Sequence, residues 1–340
     1  MYLESLAVKY RPKDWNSISG QDSVKEILIK QLSQESFRNA YIFSGASGTG
    51  KTTTARIFAN AINKGAGAPI EIDAASNSGV DNIRNIIDTA KARALDSEYK
   101  IYILDEAHML STAAWNALLK IIEEPPKYTI FMLCTTDPQK IPDTIKNRCM
   151  RFNFTRIPQT KIYDRLLLVC AEEGYNNYTE ACDYISKICN GELRNALSML
   201  ETCHFYSDDL NINNVISALG NFSYDLYFDL INNIIDGNIS NCIQEIDSIY
   251  DNGQDIKLFI NNFLSFILDT LKYILTKNIA LTKVPNSLED KMKFITGIGE
   301  AEKYYNYYLD KLLDLKSMIK YDTDCKTTTQ VVITQMCRLV

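Results

Sequence analysis

The chain has 340 residues, 46% of them hydrophobic and 23% charged, which are ordinary globular proportions and enough length for two or three domains. Those values exclude a disordered tail, a collagen-like chain and a low-complexity segment. Thirty-six basic against forty-two acidic residues leave a net charge of −6. So acidic a chain does not coat nucleic acid over its whole surface, although a local basic strip is compatible with it.

The nine cysteines form no Cys-x-x-Cys pair and read as reduced, mostly buried thiols. His108 and His204 are the only histidines, too few for a histidine metal site or a Ser-His-Asp triad. The most apolar stretch, 258–275, is interrupted by Asn261, Asn262, Asp269 and Lys272, so no membrane span is expected. The first residues lack a basic segment followed by an apolar block, and the expected compartment is the cytoplasm.

In chain order, strands are expected at 40–44, 70–73, 101–104, 130–135 and 151–154. Several are continuous apolar runs, as in a parallel sheet covered on both faces. Between them lie helical patterns at 52–63, 80–94 and 113–123, the last stopped by Pro125-Pro126. This alternation predicts a doubly wound α/β domain. Residues 159–204 read as three short helices broken near 173–176 and at Asn190-Gly191. From 221 onward apolar residues recur at helical spacing, punctuated at 236–238, 252–253 and 285–286.

The string Gly45-Ala46-Ser47-Gly48-Thr49-Gly50-Lys51-Thr52 matches the phosphate-binding P-loop, and Thr53 follows it into a helix. Its glycines let backbone amides turn inward around phosphates, Lys51 reaches the terminal phosphates, and the Thr52 hydroxyl can ligate Mg²⁺. It follows a strand and opens a helix, which places the phosphates at a helix N-terminus. The run 101–104 then ends in Asp105-Glu106. Asp105 suits Mg²⁺ binding through water, and Glu106 suits polarisation of an attacking water. One nucleotide bound with Mg²⁺ would satisfy all these groups together. The tetrad Asp105-Glu106-Ala107-His108 also raises a DEAH-type helicase, but the Gln-x-x-Gly-Arg and Ser-Ala-Thr elements such enzymes need do not occur.

Further segments are more specific: Lys9-Tyr10-Arg11-Pro12, Ile18-Ser19-Gly20-Gln21, Glu71-Ile72-Asp73-Ala74-Ala75-Ser76, Asn116-Ala117-Leu118-Leu119-Lys120 and Glu123-Glu124-Pro125-Pro126. With Thr135-Thr136-Asp137-Pro138-Gln139-Lys140, Asn147-Arg148-Cys149 and Gly191-Glu192-Leu193-Arg194-Asn195-Ala196-Leu197, they resemble clamp-loader ATPases of the AAA+ class. Over roughly 4–200 they are similar to the bacterial DNA polymerase III gamma/tau family, whereas beyond 220 only helical character and length support the likeness.

The resemblance implies a RecA-like AAA+ core at 1–157, a helical lid at 158–220 and an all-α collar at 221–340. It places Tyr10, Arg11, Pro12 and Ile18 at the adenine pocket and Thr136 at sensor 1. Arg148 falls at an arginine finger serving a neighbouring subunit, and Arg194 at sensor 2 on the lid. The implied partners are other loader subunits in a ring of five, a sliding clamp and primer–template DNA, with no membrane. Helix starts near 76–79 and at Ser111-Thr112 could meet DNA phosphates, and capping explains the same residues equally well. Two departures stand out. The family's cysteine module between the P-loop helix and the second strand is here only 63–69, without cysteine, so no zinc is expected. Asn147 replaces the serine before the finger. A non-catalytic assembly subunit of the delta-prime type and a branch-migration motor remain as alternatives.

Overall fold

The computed structural model describes residues 4–337. Strands β1 (Ala40–Gly45), β2 (Ile70–Asp73), β3 (Lys100–Asp105), β4 (Thr129–Thr135) and β5 (Met150–Phe154) form one sheet in the order β2-β3-β4-β1-β5. Every neighbouring pair is parallel. Helices α1 (Leu6–Lys9), α2 (Asp22–Ser33), α3 (Lys51–Ile62), α4 (Val80–Ala90), α5 (Thr112–Glu123) and α6 (Asp143–Lys146) fall before, between or beside the strands.

Because successive strand side chains point to opposite faces, each central strand feeds two cores. On one face Ile42, Tyr102, Leu104, Phe131 and Leu133 meet Ile83 and Ile86 of α4 and Trp115 and Leu118 of α5. On the other Tyr41, Phe43, Ile101, Ile103 and Met132 meet Leu28 of α2 and Phe58 of α3. Covered on both sides, these strands have no room for a polar alternate. Fully burying each large side chain contributes about 1.5–3 kcal/mol. The Tyr41 hydroxyl is inside as well, accepting from the Arg38 amide at 2.7 Å and donating to Gln31 Oε1 at 2.7 Å. β5 is an edge strand, with Phe152 and Phe154 buried and Arg151 and Asn153 exposed.

The expected helix over 80–94 ends early, at Ala90. Its last carbonyls are taken by side chains from the sheet: Lys100 Nζ donates to Thr89 O at 2.6 Å and the Thr129 hydroxyl to Ala90 O at 3.0 Å. Those tertiary bonds satisfy groups that a further turn would have used. Beyond the sheet, α7 (Gln159–Glu173), α8 (Tyr178–Ile188) and α9 (Leu193–Tyr206) break at the expected places.

The chain forms two compact units, one comprising the chain to Val169 with Cys189–Glu201, the other Cys170–Ile188 with the chain from Thr202. The second unit contains α8, α10 (Ile212–Ala218), α11 (Tyr224–Ile235), α12 (Ile239–Asp251), α13 (Ile256–Thr276), α14 (Glu289–Thr296), α15 (Ala301–Met318) and α16 (Cys325–Cys337). In it α13 packs along α15, and α12 along α16. An aromatic cluster joins α11 to α13, with the Tyr227 and Phe266 rings stacked at 5.4 Å. Asp255 starts α13 by accepting the Lys257 and Leu258 amides. Among the described residues α13 alone is long and apolar enough to cross a membrane, and 56% of that stretch is buried inside the fold, as in a core helix.

One carboxyl of this unit is left uncomfortable. Glu245 on α12 accepts from Asn233 Nδ2 at 2.8 Å through Oε1, while its Oε2 is buried without a hydrogen-bond partner. Burial, with Asp229 nearby, raises the Glu245 carboxyl to about 7 from an ordinary 4.5. A folded value above the unfolded one contributes stability fully below about pH 4.5, and that contribution is lost as pH rises through 7. Discounted for solvent screening, it amounts to about 1 kcal/mol. The parent should therefore lose more stability than Glu245→Gln between pH 5 and 7.5, measured as the shift in urea unfolding midpoint. At pH 7.5 Glu245→Gln should be the more stable chain.

Candidate active site

Parallel strands carry their C-terminal ends to one edge of the sheet, so Gly45, Asp105 and Thr135 lie side by side there. β1 leaves the sheet through a backbone that admits no side chain at Gly45. At φ 149° a Cβ there would stand 2.2 Å from the Phe154 carbonyl oxygen of β5. Gly48, at φ 66°, is the second tight point, where a Cβ would meet Glu192 Cβ at 3.2 Å and Arg194 Cβ at 3.3 Å. The first helical bond of α3 runs from the Thr54 amide to Gly50 O at 2.8 Å, leaving the amides of Lys51, Thr52 and Thr53 without acceptors in the helix. Such an end attracts anions.

Lys51 is only 6% exposed. Its ammonium donates to the carbonyls of Gly45 at 3.0 Å and Ala46 at 2.8 Å. Burial holds it below the usual lysine range, opposed by the negative charges of Glu106, Asp105 and Glu192. Beside it the Thr52 hydroxyl donates to Asp105 Oδ2 at 3.0 Å, and Asp105 Oδ1 accepts the Glu106 amide at 3.0 Å. A hydroxyl and a carboxylate oxygen in contact are hard donors, and they fit Mg²⁺, which keeps most of its waters and takes one or two protein oxygens. Next along, Glu106 Oε2 accepts from the Thr136 hydroxyl at 3.0 Å and lies 3.3 Å from His108 Nδ1.

A cleft of about 180 Å³ opens at this edge. Of the residues anticipated from sequence, Tyr10, Arg11, Pro12, Ile18, Ser47, Gly48, Thr49, Gly50, Lys51, Thr52, Thr53, Asp105, Glu106 and Arg194 all line it. Gly45 and Ala46 sit behind it and offer their carbonyls to Lys51. Tyr10, Ile18, Ile157, Leu193 and Leu197 are buried and give the cleft an apolar wall able to hold a flat ring. Gln21 ties that wall to the P-loop, donating to Thr155 O at 2.7 Å and Thr49 O at 3.4 Å and accepting the Thr155 amide. Three guanidinium groups face the same space. Arg11 is held below its ordinary value first by burial, then by the charges of Arg56 and Arg194.

Thr136 does not line the cleft and reaches it only through Glu106. Arg148 lies outside it, donating to Thr144 O at 2.6 Å and paired with Glu123 at 2.5 Å. Two of the helix-start hydroxyls are engaged locally: Ser111 accepts the Ala114 amide, and Ser76 donates to Asp73 at 2.7 Å. Sequence reasoning missed Arg56, although it stands four residues after Thr52 on the same face of α3. It also missed the contact of His108 with Glu106.

A model described as DNA polymerase III, delta subunit, matches residues 68–158. One described as DNA polymerase III subunits gamma and tau domain III matches 210–294. DNA polymerase III subunit gamma of Buchnera aphidicola is 36% identical over 242 residues, covering 65% of this chain and 67% of that protein. The chain belongs to the DNA polymerase III gamma/tau family. Another member of that family, DNA polymerase III subunit tau of Bacillus subtilis, is 36% identical over 295 residues, 80% of this chain and 52% of that protein. The chain thus spans about half the length of that gamma/tau relative. Among solved structures, the Thermotoga maritima RuvB Holliday junction branch migration motor matches with TM-score 0.53 over 72% of this chain and 86% of that one. At 16% identity this shows the fold alone, an α/β AAA+ P-loop domain followed by a helical domain.

Thr52→Val keeps the shape of the side chain and removes the hydroxyl. It should leave ATP binding in chelator unchanged and lose about 10–100-fold of the affinity that Mg²⁺ adds, the scale seen when a metal site loses a supporting group. Titrations of both chains with and without Mg²⁺ measure it.

Proposed function

We propose that this chain is an ATPase subunit of a sliding-clamp loader in DNA replication. One observation carries the reading: in a gamma/tau family chain, Lys51, the Thr52–Asp105 pair and the Glu106–Thr136 pair converge on one cleft. ATP would lie with its base against Tyr10, Ile18, Leu193 and Leu197, near Arg11 and Pro12, and its phosphates along 45–53. When bound at Thr52 and Asp105, Mg²⁺ supplies neutralisation of phosphate charge. Lys51 and Arg194 orient the terminal phosphate, and Glu106 accepts the proton of the attacking water. The reading divides the chain into core 1–157, lid 158–220 and collar 221–340. Its partners are further loader subunits in a ring of five, a sliding clamp and primer–template DNA in the cytoplasm, without zinc or membrane.

The match of the delta-subunit model to 68–158 favours a second reading, a non-catalytic assembly subunit of the same complex. ATP turnover separates the two. The fold shared with RuvB carries no activity to this chain.

Arg148 stands outside its own cleft and half-exposed, which suits a group completing a neighbour's site. A finger supplied in trans accelerates phosphoryl transfer by about 10³–10⁵ in GTPases. Arg148→Ala and Lys51→Ala chains, each assembled alone with clamp and primed DNA, should be inactive. Mixed, they should regain part of the turnover, because some interfaces then pair an intact P-loop with an intact finger. Absence of recovery in complexes shown by mass measurement to be mixed contradicts sharing.

A further inference from the structure

The site contains one ionisable ring that the reading above does not use. His108 sits in the short turn Ala107–Met109 after β3, its side chain 12% exposed. Its Nδ1 stands 3.2 Å from the Thr135 hydroxyl and 3.3 Å from Glu106 Oε2. Thr135 is fully buried at the end of β4, and its oxygen also accepts the Asp137 amide at 3.0 Å. The ring is therefore held against a fixed point of the sheet.

Glu106 needs such support. Its backbone is left-handed, φ 45° and ψ 44°, a conformation that costs a residue with a side chain about 1–3 kcal/mol and persists only where the surroundings impose it. A carboxylate oxygen only accepts, so the 3.3 Å contact is attractive when the His108 proton is on Nδ1. The ring nitrogen then stands between Thr135 Oγ and Glu106 Oε2. The Thr136 hydroxyl donates to Oε2 at 3.0 Å and His108 Nδ1 stands 3.3 Å from the same oxygen, while Oε1 has no partner among the described residues. Contacts gathered on one oxygen restrict rotation of the carboxylate and leave the other oxygen open to a further partner.

We propose that His108 is a positioning residue for the ATPase reaction, holding Glu106 Oε2 through Nδ1–H so that Oε1 faces the attacking water. The proposal rests on the reading of Glu106 as the carboxylate that takes the water's proton. The ring does not line the cleft and acts only through Glu106.

The test measures ATP affinity and single-turnover hydrolysis for the chain in its complex with clamp and primed DNA. His108→Leu removes the donor, and His108→Asn can place an amide N–H near the Nδ1 position. His108→Leu should slow hydrolysis by about 10-fold or more, the scale of a misplaced reacting group, with ATP affinity within about twofold of the parent. His108→Asn should recover most of the rate. In a Glu106→Gln background, His108→Leu should cost nothing further. A His108→Leu rate within twofold of the parent overturns the proposal, as does an undiminished loss in the Glu106→Gln background. Should His108→Leu fail to fold, a folded His108→Asn as slow as Glu106→Gln overturns it equally, and parental-like hydrolysis in His108→Asn supports it. Parental hydrolysis in Glu106→Gln alone contradicts the assignment of Glu106 instead, so the two failures are told apart.

Discussion

A lysine ammonium buried at the end of a sheet is the constraint around which the first unit is arranged. Moving a full charge out of water costs several kcal/mol unless dipoles or opposite charges replace the solvent. The Lys51 ammonium has two carbonyls of its own loop, and the carboxylates of Asp105 and Glu106 oppose its deprotonation. Two backbone dipoles are a modest replacement for water, and a phosphate is a far better one. The same Gly45 that has no space for a side chain beside Phe154 offers its carbonyl to Lys51, so strand packing and the lysine's seat share one backbone segment.

The same edge separates two kinds of acid chemistry over adjacent residues. Asp105 is bound by a hydroxyl and an amide and stays in the plane of its strand, a rigid oxygen donor for a hard cation. Glu106 turns out of the strand into a left-handed conformation and is steadied from β4 by Thr136, with His108 braced on Thr135. Opposite them, Arg11, Arg56 and Arg194 gather positive charge, and burial together with the charges of Arg56 and Arg194 holds Arg11 below its ordinary value. Among the described residues Arg56 alone of the three is paired with a carboxylate, that of Glu71.

Much of this was legible in the sequence because the physics is local. Continuous apolar runs read as covered parallel strands since both faces of 41–43, 101–104 and 130–134 are buried. The P-loop was visible because tight turns and amide cradles need glycine at fixed offsets. What escaped depends on distant residues. The end of α4 at Ala90 is set by Lys100 and Thr129, which no pattern within 80–94 reports. His108 was visible only as part of a rival helicase tetrad, because its meaning comes from Thr135, 27 residues away. Arg148 was expected near a neighbour's nucleotide, and its own-chain contacts with Glu123 and Thr144 follow from the packing of α5 beside α6. The division of α7 and α9 between two compact units likewise has no signature in their periodicity.

If the cleft beside Lys51 takes a nucleoside triphosphate with Mg²⁺, the buried ammonium should carry much of the affinity. Calorimetric titration of MgATP into the parent chain and into Lys51→Ala tests it most directly. One site per chain is expected in the parent, with an affinity at least about tenfold weaker in Lys51→Ala, since a hydrogen bond to a charged group contributes about 1.5–3 kcal/mol. Saturable binding of equal strength in both chains would contradict it, as would no binding to the parent.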